Sequence, residues 1–131
     1  MTIKIYFITL TAFLGIDAVW LGLVAPAFYR SQIGHLMAGS ANLLAAGIFY
    51  LLYIFGLVFF VVEPGVRGHT LKQAAVRGAL FGLVTYGTYD LTNHATLRDW
   101  SLMMTVVDMA WGTILCAAVT LVSVWAGKRW L

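Results

Sequence analysis

The sequence predicts an all-α integral membrane protein, a bundle of four transmembrane helices forming one domain over residues 1–131. Three observations predict it. Hydrophobic residues make up 62% of the chain and charged residues only 10%, against roughly 25% charged in soluble domains. The mean hydropathy is +0.91, and a water-soluble fold of this size lacks the polar surface to cover such a sequence. The apolar residues also fall into four runs, at about 3–25, 42–62, 74–93 and 102–126, each near the roughly 20 residues a spanning helix needs. Helices are required because lipid leaves open backbone groups unsatisfied.

The first run, Ile3 to Ala25, mimics a signal peptide, with Lys4 ahead of it and Ala25-Pro26-Ala27 behind. Its length lets it span the bilayer by itself, and Asp17 and Trp20 interrupt what would be a plain apolar core, so it reads as a retained helix. Pro26 follows it. The loop from Pro26 to Ala41 carries Phe28, Tyr29, Ile33, Leu36 and Met37, a mixture that fits a short amphipathic helix on the outer surface as well as an ordinary loop. The second run ends at Glu63-Pro64-Gly65. His94 to Trp100 separates the third run from the fourth, and Lys128 and Arg129 follow the last.

Lys and Arg set the orientation. Lys4, Arg67, Lys72, Arg77, Lys128 and Arg129 fall at the N-terminus, the second loop and the C-terminus, whereas the first and third loops hold only Arg30 and Arg98. Both termini are therefore expected in the cytoplasm. Phe28, Tyr29 and Trp100 outside, with Trp125 and Trp130 inside, form the interfacial aromatic belt. The net charge of +3 reflects these edge cations and gives no reason to expect nucleic acid. The expected surroundings are the lipid bilayer.

Small residues recur on defined faces: Thr11, Gly15, Ala18, Gly22 and Ala25 in the first run; Gly78 and Gly82, continued by Tyr86, Tyr89 and Asn93, in the third; Ser101, Thr105, Asp108, Gly112, Cys116 and Val119 in the fourth. Such stripes let helices approach closely, and the expected use is packing within the bundle. They leave the oligomeric state open. The single cysteine, Cys116, reads as a small apolar packing residue.

Of five acidic residues, Asp17, Asp90 and Asp108 lie inside apolar runs. A carboxylate in hydrocarbon is costly, and such residues face a bundle interior or a wet cavity and mark functional sites by default. Counted from the outer ends of their helices, at about 1.5 Å per residue, all three fall roughly 5–12 Å beneath the outer interface. Three carboxylates in one slab cannot all be charged cheaply, so a proton or a cation is shared among them. Asp17-Ala-Val-Trp20 and Asp108-Met-Ala-Trp111 share an Asp-x-x-Trp spacing, and Asp90-Leu-Thr-Asn93 places an amide at the same offset. Residues three apart share a helix face, and a Trp ring screens a carboxylate from lipid while its N–H donates to a neighbour. Tyr86, Tyr89, Asn93 and His94 surround Asp90, and Thr85, Thr88, Thr92, Thr105 and Thr113 add hydroxyls. The expected site is thus Asp17, Asp90 and Asp108 as the reacting carboxyls, with Trp20, Tyr86, Tyr89, Asn93, His94 and Trp111 around the ligand. Asp90 and His94 with the other aspartates offer oxygen and nitrogen ligands, but their spacing matches no metal motif, and no metal is assigned. No histidine lies near a span centre to hold haem, and the cofactor stays unknown. His35 and His69 read as loop residues, Glu63 and Asp99 as solvated interfacial charges.

Asp17-x-x-Trp20, Tyr86-Gly-Thr-Tyr-Asp90-Leu-Thr-Asn93 and Asp108-x-x-Trp111-Gly112 resemble a bacterial family of four-helix membrane proteins known only as domain of unknown function 2177. The resemblance covers essentially the whole chain. It implies a multi-pass protein of the bacterial inner membrane, and it points toward lipid chemistry because members are sometimes encoded near lipid-modifying enzymes. Three functions stand against one another. One is a membrane-embedded enzyme acting on a lipid or other apolar substrate, with one aspartate as acid and another as base. The second is a small proton- or cation-coupled transporter. The third is a non-catalytic membrane assembly protein whose carboxylates are structural glue.

Overall fold

In the computed structural model, which describes residues 2–131, the chain is helical apart from short connections, with no strand among the described residues. Five helices follow in order: α1 (Ile3–Leu23), α2 (Ala25–Ile33), α3 (Leu43–Gly68), α4 (Leu71–Thr96) and α5 (Leu102–Trp130). Of these, α1, α3 and α5 are long and apolar enough to cross a membrane. The 26 residues of α4 would reach about 39 Å. It is less apolar than the others, with Lys72, Gln73 and Arg77 in its first two turns and Asp90, Asn93 and His94 toward its end.

Caps fix the starts. The Thr2, Asn42 and Ser101 side chains each accept a backbone N–H in the first turn of α1, α3 and α5. Thr70 and Gln73 form a reciprocal capping box on α4, satisfying two orphan donors at once. This cap starts α4 at Leu71, three residues before the expected Ala74.

Glu63-Pro64-Gly65 does not end the second apolar helix, which runs on to Gly68. A π turn at Val58–Val62 precedes the proline, and the Glu63 N–H reaches back to the Val58 carbonyl. The wider turn relieves the clash of a proline ring with the preceding carbonyl, which would break an ordinary helix. Gly65 serves packing: a Cβ there would lie 2.8 Å from Val124 Cγ2.

The longest shared seam is that of α4 with α5, and glycines make it close. A Cβ on Gly78 would stand 2.8 Å from the Cys116 carbonyl oxygen, and one on Gly82 2.9 Å from Cys116 Cβ. The small stripes of α4 and α5 therefore pack within the bundle. That of α1 does not. Thr11, Gly15, Ala18 and Gly22 are exposed and only Ala25, the last member of the stripe and first residue of α2, is buried, while a Cβ on Gly15 or Gly22 would meet nothing within 4 Å. The buried face of α1 is Ile5, Thr9, Phe13 and Asp17, a strict four-residue step. Gly15 lies two residues from both Phe13 and Asp17, about 200° around the helix, so turning Asp17 inward turns the glycines outward.

Both ends of the bundle are tied. Lys128 Nζ donates to the His69 carbonyl at 2.6 Å, joining the C-terminus to the α3–α4 turn. At the opposite end Gln32 Oε1 accepts from the Ser101 hydroxyl, joining the first loop to the start of α5. Asp99 turns the chain between α4 and α5 with φ 60°, a left-handed conformation that Asp tolerates better than most residues. The apolar core fills the half nearer the termini, built on Phe13, Ile54, Leu57, Val58, Val62, Leu115, Val119 and Val124, all essentially inaccessible. In the other half α3 rests on α1, and aromatic side chains bridge it to α4.

Candidate functional site

That second half holds a cavity of about 750 Å³, within the range of small-molecule sites. α1 contributes Asp17, Trp20 and Leu21; α2 contributes Tyr29; α3 contributes Ala46, Phe49, Tyr50 and Tyr53; α4 contributes Thr85, Tyr86, Thr88, Tyr89 and Thr92; α5 contributes Asp108 and Trp111. Phe49, Thr88, Tyr89 and Thr92 are exposed, so the cavity opens between α3 and α4.

The two Asp-x-x-Trp segments meet here and cross over. The Trp20 and Trp111 rings stack, centroids 4.6 Å apart and planes within 9°. Trp111 Nε1 donates to Asp17 Oδ1 at 3.3 Å, so the tryptophan of α5 serves the aspartate of α1. Trp20 Nε1 donates to the Tyr29 hydroxyl at 3.0 Å, and that hydroxyl donates to Asp108 Oδ1 at 2.7 Å. The tryptophan of α1 thus serves the aspartate of α5 through one relay. Burial, then the nearby Asp108 charge, raises the Tyr29 pKa, which keeps this hydroxyl a neutral donor. The Tyr50 hydroxyl stands beside Asp17 as a further donor.

Asp90 sits behind the wall. It is 0% exposed and does not line the cavity. No hydrogen-bond donor reaches either of its carboxyl oxygens, and the group acting on it is the Asp108 carboxyl. Two carboxyls in such contact are satisfied when one carries a proton and donates it to the other. The sequence places Asp90 among the reacting groups; geometry gives it the position of a backing residue for Asp108.

The other expected residues divide. Trp20, Tyr86, Tyr89 and Trp111 line the cavity with Asp17 and Asp108. Asn93 and His94 do not. His94 Nδ1 pairs with the Thr105 hydroxyl at 3.3 Å, and the same hydroxyl accepts from Trp100 Nε1 at 2.9 Å. One helical turn beyond Asp90, this side of α4 has already passed the cavity and meets the start of α5. Among the described residues no group of three or more His, Cys, Asp or Glu side chains is arranged to hold a metal.

Sequence reasoning missed Tyr29, Tyr50, Tyr53 and Phe49. Tyr29 reads as a belt residue in the sequence, but Pro26 lies within α2, which packs back on α1 and α5 and turns the phenol inward. Tyr50 and Tyr53 lie three apart in an apolar run, one helix face, a signal the aspartates overshadowed. The Tyr53 hydroxyl lies 2.7 Å from Thr85 Oγ1 and 3.1 Å from Cys116 Sγ, closing the cavity floor. Thr85, Thr88 and Thr92 each donate to a carbonyl one turn back in α4, so their hydroxyls have acceptor capacity to spare but no free proton. Tyr86 packs flat over Gly112, where a Cβ would collide with its ring.

A helical chain with three helices long and apolar enough to cross a membrane, enclosing a cavity of carboxyls and aromatic rings, is a multi-pass membrane protein by construction. It belongs to the family described as predicted membrane protein (DUF2177), whose profile matches residues 2–125. No curated protein and no solved structure matches the chain.

Proposed function

We propose that this protein is a membrane-embedded enzyme of the bacterial inner membrane that draws a lipid or other apolar substrate into the aspartate–aromatic cavity and works on it by proton transfer. The observation carrying this reading is that Asp17 and Asp108, from two different helices, line one apolar cavity that opens between α3 and α4. Asp108, backed by the Asp90 carboxyl, supplies a proton; Asp17, held by the Trp111 N–H, receives one. Both groups touch the substrate and are the catalytic residues, whereas Asp90 is a positioning residue. Two nearby carboxyls can divide acid and base roles in this way.

In this reading α4 is the fourth span, and both termini are cytoplasmic. The Lys128–His69 tie supports it by gathering Lys128, Arg129, Arg67 and Lys72 at one end of the bundle, the end that carries six of eight Lys and Arg residues. The test is a comparison of membrane lipids, by mass spectrometry, from cells making wild type or Asp108→Asn at equal inserted levels. A lipid species formed or consumed only with wild type supports the enzyme. Identical lipid profiles for wild type, variant and empty cells overturn it. A proton-coupled transporter is the second reading, favoured by the buried Asp90 carboxyl beside the cavity-lining Asp108; proton flux in reconstituted vesicles that is lost in Asp90→Asn would select it.

A further inference from the structure

The cavity is built for a cation, yet the chain supplies none. Among its described lining residues are two carboxyls and no Lys, Arg or His. The donors that reach Asp17 and Asp108 are all neutral: Trp111 and Tyr50 at Asp17, Tyr29 at Asp108. Behind them Asp90, fully buried and beside Asp108, adds a third carboxyl whose oxygens no neutral donor reaches. Negative charge in a low-dielectric wall with no protein counter-charge attracts a positive group strongly. The rest of the wall has the same preference. Trp20, Trp111, Tyr50 and Tyr86 line the cavity, and aromatic π systems attract ammonium groups, Trp best of all. The volume, about 750 Å³, far exceeds what a bare ion occupies.

We propose that the cavity recognises an organic ammonium group carried on an apolar body, with the charged head between Asp17, Asp108 and the tryptophan pair and the apolar part leaving between α3 and α4. This rests on the reading of the cavity as a substrate site and specifies the substrate class: an amine-bearing lipid or a hydrophobic amine.

The experiment uses the full chain in neutral detergent with its tryptophan indoles labelled with 15N. Benzyltrimethylammonium is compared with neopentylbenzene, its uncharged carbon isostere, at equal micellar concentration. The expected result is saturable movement of the Trp20 and Trp111 indole signals with the cation, and at least tenfold weaker binding of the isostere. Asp17→Asn and Asp108→Asn should each weaken the cation at least tenfold and leave the isostere unchanged; should either variant fail to fold, the wild-type comparison of the two probes decides alone. Equal binding of both probes overturns the ammonium proposal and leaves an apolar substrate site standing. Movement of neither signal with either probe overturns both.

Discussion

Replacing Gly82 with Ala tests the α4–α5 seam that holds Tyr86 and Asp108 in position. An added Cβ would lie 2.8 Å from the Gly112 carbonyl carbon and closer still to its oxygen, about 0.6 Å short of the 3.4 Å at which ordinary contact begins. The obstacle is backbone of α5, which no rotamer change relieves, so the helices must part by at least that much. A gap of about 0.5–1 Å forfeits a quarter to a half of each dispersion contact along the seam, and overpacking of this kind costs about 1–3 kcal/mol. Alanine returns up to about 1 kcal/mol of helix preference over glycine, leaving a net loss on the order of 1–2 kcal/mol. Gly15→Ala is the internal control: with nothing within 4 Å of the new Cβ, it should be neutral or gain up to about 1 kcal/mol. Reversible unfolding in mixed micelles, titrated with a denaturing detergent, measures both. A Gly82→Ala variant as stable as wild type, or a Gly15→Ala variant as damaged as Gly82→Ala, would refute the packing account.

Three further outcomes follow from the same geometry. Tyr29→Phe removes the relay between Trp20 and Asp108, leaving the half-buried indole N–H without its acceptor and the buried Asp108 carboxyl without its donor; the expected loss is about 1–3 kcal/mol in the same unfolding titration, and no loss would show that the relay is not formed. Cys116, fully buried against Tyr53, should resist thiol reagents in the folded protein and react once it is unfolded; rapid labelling of the native form would contradict its position. A green fluorescent protein fused after Leu131 should fluoresce in bacterial cells, as a cytoplasmic C-terminus requires, and an alkaline phosphatase fusion there should be inactive. The reverse pattern would overturn the proposed orientation.

The helices were legible in the sequence because apolar run length and flanking charge are local properties. Asp17 and Asp108 were legible because an acidic residue in an apolar run has few places to go. The end of the second helix was not, since Pro64 breaks a helix by local rules and only the π turn before it, a packing adjustment, lets the helix continue. Nor was the face of α1 legible. Gly15 and Gly22 look like a packing stripe, and the claim of Asp17 on the interior decides against them. Tyr29 reaches Asp108 across 79 positions, a pairing that no periodicity encodes. His94 and Asp90 share a face of α4, as their spacing implies, but that face packs on α5, where His94 meets Thr105 and Asp90 is fully buried, so neither lines the cavity.

The central claim is that the half of the bundle away from the termini holds a ligand cavity whose polar end is Asp17 and Asp108. A crystal structure grown from a lipidic mesophase tests it most directly, through the density between Trp20, Trp111 and Tyr86. The account predicts an open cavity with elongated density, its polar end within hydrogen-bonding distance of the two carboxyls. A collapsed cavity, with Phe49 and Tyr50 packed against Tyr86 and the carboxyls turned apart, would contradict it.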